Sequence, residues 1–274
     1  MPEGPEIRRA ADRIAKVLEG QAVESISFGL PRLKRYGARL RGASVREVET
    51  RGKAMLTHFD NGLSIYSHNQ LYGVWKVARR GKLPKTGRSL RLALHTATHS
   101  ALLYSASDIS VWPTEELTQH PFLARIGPDI LNPLLDWRAI ADRLVLDKFA
   151  RRRLSAIYLD QAFLAGIGNY LRTEILFDAG IHPDWRPVDL TRGERGRLAR
   201  STLGISHRSY QTGGITLSPG LAARLEREGL PREQRRFFVF GRTHQPCYRC
   251  GAEVQRQDMN SRRIYWCPEC QEAP

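Results

Sequence analysis

Asp160-Gln-Ala-Phe-Leu-Ala-Gly-Ile-Gly-Asn-Tyr170 is the stretch on which the reading of this chain turns. Two glycines, Gly166 and Gly168, break an apolar run and lead into a helical pattern over 170–179. A glycine-rich turn opening a helix leaves backbone N–H groups without intrahelical partners. Together with the helix dipole they favour an anion at that end. Asn169 stands near the expected N-cap. An ordinary helix hairpin, with no ligand, is the alternative reading of the same residues.

Working outward, Gly127-Pro-Asp-Ile-Leu-Asn-Pro133 reads as a linker, because its prolines discourage helix. Beyond it, helical spacing recurs at about 137–146, 153–164, 170–179 and 191–204, with a charged helix-like segment at Leu221–Glu228. Ahead of the linker, Ile7, Ala10, Ala11, Ile14, Val17 and Leu18 predict an amphipathic helix within 2–20, capped by Gly20. Short β-like runs then follow to about residue 112: Ala22–Phe28, Ser44–Thr50, Ala54–Phe59, Leu63–His68, Val74–Ala78, Leu90–His95 and Ala101–Ser105. Their turn-broken spacing predicts a β-sandwich or barrel. The expected plan is multi-domain α+β: a β-sandwich domain at 1–126, a linker at 127–136, a helical domain at 137–240 and a small module at 241–274.

That last module holds all four cysteines. Cys247-x2-Cys250, sixteen residues, then Cys267-x2-Cys270 is a four-thiolate zinc pattern, each pair presenting two ligands from a tight knuckle. Ala252–Arg256 and Arg262–Trp266 read as two strands around an Asp258–Ser261 turn, giving a β-hairpin finger. With every position a cysteine, one structural Zn2+ is expected, contributing on the order of 10 kcal/mol to local folding.

Charge points to the partner. Lys and Arg total 43 against 28 Asp and Glu, a formal net charge of +15. An acidic polymer suits such a surface, since neutralised phosphates release counterions; a generally basic proteome or a ribosome-associated role would give the same total. No apolar run approaches a membrane span, and the acidic Met1-Pro-Glu-Gly-Pro-Glu6 start lacks the basic flank of a signal peptide. A cytoplasmic protein is therefore expected. The small residue at position 2 permits removal of Met1, which would leave Pro2 as a secondary amine. An α-amine titrates near 8, about two units below lysine, so more of it is free base at neutral pH. Condensation with an aldehyde gives an iminium, an electron sink. Glu3 and Glu6 place carboxylates beside it. Read alone, these residues are more simply a capped helix start, with Pro5 in the first turn.

The N-terminal motif, Lys53 after Arg51-Gly52, the Asp160–Tyr170 stretch and the four-cysteine finger occur in this order over nearly the whole chain. Together they resemble the Fpg/Nei family of bifunctional DNA glycosylases. Tyr66-Ser-His-Asn-Gln-Leu-Tyr-Gly-Val-Trp75 is similar to the endonuclease VIII branch of that family. The resemblance implies a helix–two-turn–helix element around Asn169 and a lesion nucleotide flipped into a cleft between the β-domain and the helical domain. It implies Pro2 as Schiff-base nucleophile and Glu3 as acid/base. Lys53 would contact a phosphate or the developing charge near the lesion, Arg262 at the finger tip would clamp the phosphates flanking it, and Asn169 would bind a phosphate beside the abasic site. Gln70, Leu71 and Tyr72 would fill the hole in the duplex. Without the resemblance, Lys53 reads as a solvated lysine, and Leu71 and Tyr72 as core strand residues. Arg263 leaves the register of Arg262 open by one position, though strand alternation puts the two side chains on opposite faces. Arg151-Arg-Arg153 reads as a DNA contact or as a solvated helix start.

The implied function is base excision from double-stranded DNA carrying a damaged base or abasic site. The chain would be a monomeric DNA glycosylase and AP lyase acting on oxidised pyrimidines, with β,δ-elimination. Oxidised purines, 8-oxoguanine and formamidopyrimidines, are the competing substrates. A non-catalytic zinc-containing DNA-binding protein, or a tautomerase using Pro2 as base, would account for fewer of the motifs. The Ser206–Arg236 stretch follows neither branch's pattern and would bear on lesion preference if it frames the base pocket.

Overall fold

The computed structural model describes residues 2–259 and 261–274; Met1, whose removal the small second residue permits, and Asn260, in the predicted finger turn, lie outside the described residues. The chain forms two compact units. Pro2 and Glu6–Arg125 make the first, and Glu3–Pro5 with Ile126–Pro274 make the second.

In the first unit, helix α1 (Gly4–Leu18) is followed by eight strands: β1 (Ser25–Phe28), β2 (Val45–Arg51), β3 (Ala54–Phe59), β4 (Leu63–His68), β5 (Val74–Arg79), β6 (Leu90–His95), β7 (His99–Tyr104) and β8 (Asp108–Pro113). They form two antiparallel four-stranded sheets, ordered β1-β6-β7-β5 and β2-β3-β4-β8. This is the predicted β-sandwich. Ile7, Ile14 and Leu18 of α1 join Phe28, Phe59, Ile65, Leu94 and Leu103 in its core. Strands β3 and β4 are buried nearly end to end, not alternately. The cause is a second apolar layer, in which Leu117 and Phe122 cover Ala54, Leu56 and Tyr66 on the outer face.

The second unit contains α2 (Trp137–Leu144), α3 (Asn169–Ala179), α4 (Arg192–Gln211), α5 (Pro219–Arg227) and a hairpin of β9 (Gln255–Met259) and β10 (Arg262–Trp266). The helix expected over 153–164 is a single turn, Leu154–Ile157. Backbone carbonyls of Ala162 and Phe163 point to the Arg143 guanidinium, and Asp160 accepts the Ala162 N–H, so the chain leaves the helical path there. Phe163, Leu164 and Ile167 are nonetheless buried against Leu171, Ile175 and Leu198. The finger shares an apolar cluster, Val254, Tyr265 and Cys267, with Phe177 of α3 and Phe238. Among the described residues, no helix is long and apolar enough to cross a membrane.

Candidate active site

The glycine turn does hold an anion, and it is the chain's own. Glu3 is 3% exposed. Its carboxylate accepts the backbone N–H groups of Gly168 (2.7 Å), Tyr170 (2.9 Å) and Leu171 (3.2 Å). The first intrahelical bond of α3 runs from Arg172 N–H to Gly168 C=O, so Glu3 satisfies two N–H groups that the helix itself cannot. The amides expected to stay available are thus taken by Glu3, while Asn169 does stand beside the cap, as expected. Gly168 is the N-cap, without a side-chain bond, and Asn169 is already helical.

The glycines make the approach possible. A Cβ on Gly168 would lie 2.4 Å from the Glu3 carboxyl carbon, and one on Gly4 would come 3.1 Å from Gly166 Cα. Gly4 N–H donates to Gly166 C=O at 2.8 Å, and Gly166 sits at φ +104°. Gln161 braces the turn from below: its amide oxygen accepts Gly166 N–H and its nitrogen donates to Ile167 C=O. Pro2, one residue from this clamp, is half-buried.

Asn169 faces the finger. Its amide nitrogen donates to Arg263 C=O (2.8 Å), and its oxygen accepts from Arg172 (2.6 Å). Arg172 is a site residue the sequence reading missed. It is fully buried, donates to Ser155 C=O at 2.8 Å, and also reaches Arg263 C=O at 3.3 Å. Burial first, and the like charge of Arg262 second, push its pKa down to about 10, while the Glu3 carboxylate works the other way. An arginine three residues after Asn169 was the available signal, since (i, i+3) pairs share a helix face. Glu3, Asn169, Arg172 and Arg262 therefore gather at one end of α3. The Arg262 and Arg263 side chains are both exposed, and β10 pairs Arg262 with Met259.

Lys53 and the predicted wedge belong to the first unit. Gly52 (φ +63°) and Lys53 form the two-residue turn between Arg51 and Ala54. Lys53 is 7% exposed, which corrects the solvated reading. The pairing of Ala54 with His68 puts this turn at the same sheet edge as the β4–β5 loop. In that loop Leu71 is 56% and Tyr72 67% exposed, so neither is a core residue. Gln70 is held at φ +51°: its N–H donates to His68 Nδ1 (3.0 Å) and its side chain accepts from Ser107 (2.7 Å). Arg88 donates to Tyr72 C=O at 2.7 Å. Gly73 closes the loop through Asn69 C=O, where a Cβ would meet that oxygen at 2.5 Å. Burial first keeps the His68 imidazole below its ordinary range, opposed by Asp108 and aided by Lys53.

The four cysteine sulfurs lie within 4.8 Å of one another, with Cys250 and Cys267 at 3.4 Å. Tetrahedral zinc with Zn–S bonds near 2.3 Å places sulfurs about 3.8 Å apart, so the cluster fits a metal ion. Burial pushes the Cys267 and Cys270 thiols up. Packed this closely, the thiolates need a cation to coexist.

Comparison with known proteins agrees with this architecture. The formamidopyrimidine-DNA glycosylase N-terminal domain matches residues 1–107, and the H2TH domain of the same enzymes matches residues 126–219. The chain belongs to the Fpg/Nei family of DNA glycosylase/AP lyases, enzymes of base excision repair. Within it, Endonuclease 8 of Escherichia coli (strain UMN026) is 46% identical over 271 residues, covering 99% of this chain and 100% of that protein. Endonuclease 8 of Shigella sonnei (strain Ss046) matches at the same identity and coverage. Lactococcus lactis Fpg bound to DNA containing an oxidised pyrimidine superposes with a TM-score of 0.81 at 23% identity, over 99% of this chain and 100% of that one. The same enzyme on abasic-site DNA gives 0.81 at 22%, with the same coverage.

Proposed function

We propose that the chain removes oxidised pyrimidines from double-stranded DNA through a Schiff base on Pro2, followed by β,δ-elimination. With Met1 removed, the Pro2 nitrogen attacks C1′ of the lesion nucleotide. The C1′–base bond breaks, the base leaves with a proton, and ring opening yields an iminium at C1′. Loss of a C2′ proton then expels the 3′ phosphate, and a further elimination expels the 5′ phosphate. The observation that carries this reading is the seating of Glu3. A carboxylate pinned by three backbone amides fixes the chain start to within one residue of the reacting nitrogen, which is the positioning that such a step requires. Glu3 then moves protons at the sugar, Lys53 acts on a phosphate or the developing charge, and Arg262 clamps the phosphates flanking the lesion. Asn169 binds a phosphate beside the abasic site, its orientation set by Arg172. Gln70, Leu71 and Tyr72 occupy the space left by the extruded nucleotide; their exposure on a hairpin tip supports this.

The metal is Zn2+, held by Cys247, Cys250, Cys267 and Cys270; when bound it fixes the finger that carries Arg262. The enzyme acts as a cytoplasmic monomer. The resemblance of Tyr66–Trp75 to the endonuclease VIII branch favours pyrimidine lesions, and the binding of Fapy-dG-containing DNA by L. lactis Fpg keeps purine lesions as the second reading.

The test is borohydride reduction with duplexes carrying thymine glycol, dihydrouracil, 5-hydroxyuracil or 8-oxoguanine. A covalent complex mapped to Pro2 by peptide mass spectrometry, formed faster on the pyrimidine lesions, is expected. Absence of trapping at Pro2 ends the mechanism. Faster cleavage of 8-oxoguanine opposite cytosine overturns the lesion assignment and leaves the chemistry standing.

A further inference from the structure

The second unit carries a groove that the repair chemistry does not use. It lies where α2 packs on α4 and has a volume of about 680 Å3. Trp137, Ala141 and Val145 give it an apolar lining. The guanidinium groups of Arg138, Arg192, Arg195 and Arg200 line it as well, against the single carboxylate of Asp142.

Its position separates it from the candidate active site. Helices α3 and α4 run antiparallel: the Tyr170 hydroxyl, at the start of α3, bonds to Ser209 near the end of α4 (2.8 Å). Arg197, near the start of α4, donates to Ala179 C=O at the end of α3 (2.7 Å). The eleven residues of α3 span roughly 16 Å at 1.5 Å per residue. The Arg192–Arg200 face is therefore about one helix length from the Asn169 end.

The groove's preference for anions comes from side chains. The N-terminus of α4 is closed by a Thr191–Glu194 capping box. Arg195 is a fixed charge, because its guanidinium donates to the Leu190 and Pro187 carbonyls. Trp137 carries two guanidinium groups over its ring, Arg138 at 4.7 Å and Arg200 at 4.5 Å from the centroid. A ring covered in this way is a poor platform for stacking a nucleobase. What stays open is an apolar slot with cations around it. Gly193 keeps one wall low, since a Cβ there would meet only the Thr191 hydroxyl, at 3.9 Å.

We propose that this groove docks an acidic segment of a partner protein. One aromatic or aliphatic side chain of the segment enters beside Ala141 and Val145, and flanking carboxylates pair with Arg138, Arg192 and Arg200. Arginine suits this because its planar fork binds carboxylate in a bidentate manner. The inference is independent of the Schiff-base reading.

The probe is a fluorescein-labelled dodecapeptide of Asp and Glu with one central Phe, titrated by anisotropy with the full-length protein. Binding at roughly 10–100 µM is expected, the range of a small transient interface. Replacing the Phe by Ser should weaken it at least tenfold. Gly193→Glu, whose side chain enters open space, and the surface pair Arg192→Glu/Arg200→Glu should each weaken it at least tenfold. Cleavage of abasic-site duplex should stay unchanged in these variants, and the melting temperature should fall by no more than about 4 °C, the loss of the Arg200–Trp137 contact. Three results would overturn the proposal: no peptide binding, peptide affinity indifferent to the groove variants, or equal loss of undamaged-duplex affinity, which would make the groove a nucleic-acid contact.

Discussion

Gly168→Ala disturbs the clamp on Glu3 without replacing any residue assigned to the chemistry. The backbone at Gly168 (φ −129°, ψ −152°) is extended, so alanine meets little intrinsic strain. Its methyl, however, would sit 2.4 Å from the Glu3 carboxyl carbon and one of its oxygens, and 2.7 Å from Cγ. The carboxylate has to leave, and with it go three hydrogen bonds from backbone amides. Bonds to a charged group contribute about 1.5–3 kcal/mol each, and water entering the space recovers part of that. A net loss of about 3 kcal/mol follows, or a fall in melting temperature of about 6–12 °C for a unit of this size. Displacing the chain start by about 1 Å should slow single-turnover borohydride trapping roughly 100-fold. Glu3→Gln alone and the double variant complete a cycle. If both substitutions act through the same contact, the double variant is little less stable than Gly168→Ala alone. Wild-type trapping and wild-type melting in Gly168→Ala would refute the argument that this contact positions the nucleophile.

The other predictions address separate parts of the molecule. Metal analysis should find one zinc per chain, and Cys267→Ser should lose it, cutting duplex affinity at least tenfold; an unchanged affinity in a zinc-free variant would contradict the finger's role. Leu71→Ala and Tyr72→Ala should alter stability by no more than about 0.5 kcal/mol, because both side chains are exposed. Base excision in these variants should fall about tenfold or more, while trapping on preformed abasic sites changes less; equal effects on both substrates would remove the wedge assignment. Burial holds His68, His95, His120 and His182 below their ordinary value of 6.5, so the folded chain keeps them neutral where the unfolded chain protonates. Their contribution is complete above about pH 6.5 and is lost as pH falls through the depressed folded values. Urea midpoints should decline from pH 7 to 5, and a flat profile would count against it.

Much of this was legible in the sequence where local rules act alone. The bounds of β3, β4 and β6 could be read directly, because each is a short apolar run between turn residues. Strand β8 was not among the runs read: Asp108, Ser110 and Pro113 hide it, and only pairing with β4 makes it a strand. Helix α4 runs to Gln211, past the expected end at 204, because Ser206 and Ser209 are buried polar residues that break the apolar count. At the site, the glycine turn correctly signalled an anion, but the occupant lies 165 residues away in sequence, and no local pattern reports such a contact. Arg172 was missed for a similar reason: arginine defaults to the surface, and the carbonyls of Ser155 and Arg263 with the Asn169 side-chain oxygen explain its burial.

The capping of α3 by Glu3 has a practical side for anyone dissecting the molecule. A fragment spanning 126–274 would contain the whole helix and its glycine turn, yet lack the residue that fills the cradle. Such a piece would become a receptor for small carboxylates: formate or acetate in the buffer should raise its melting point, and a short peptide beginning Pro-Glu-Gly-Pro should do so more strongly.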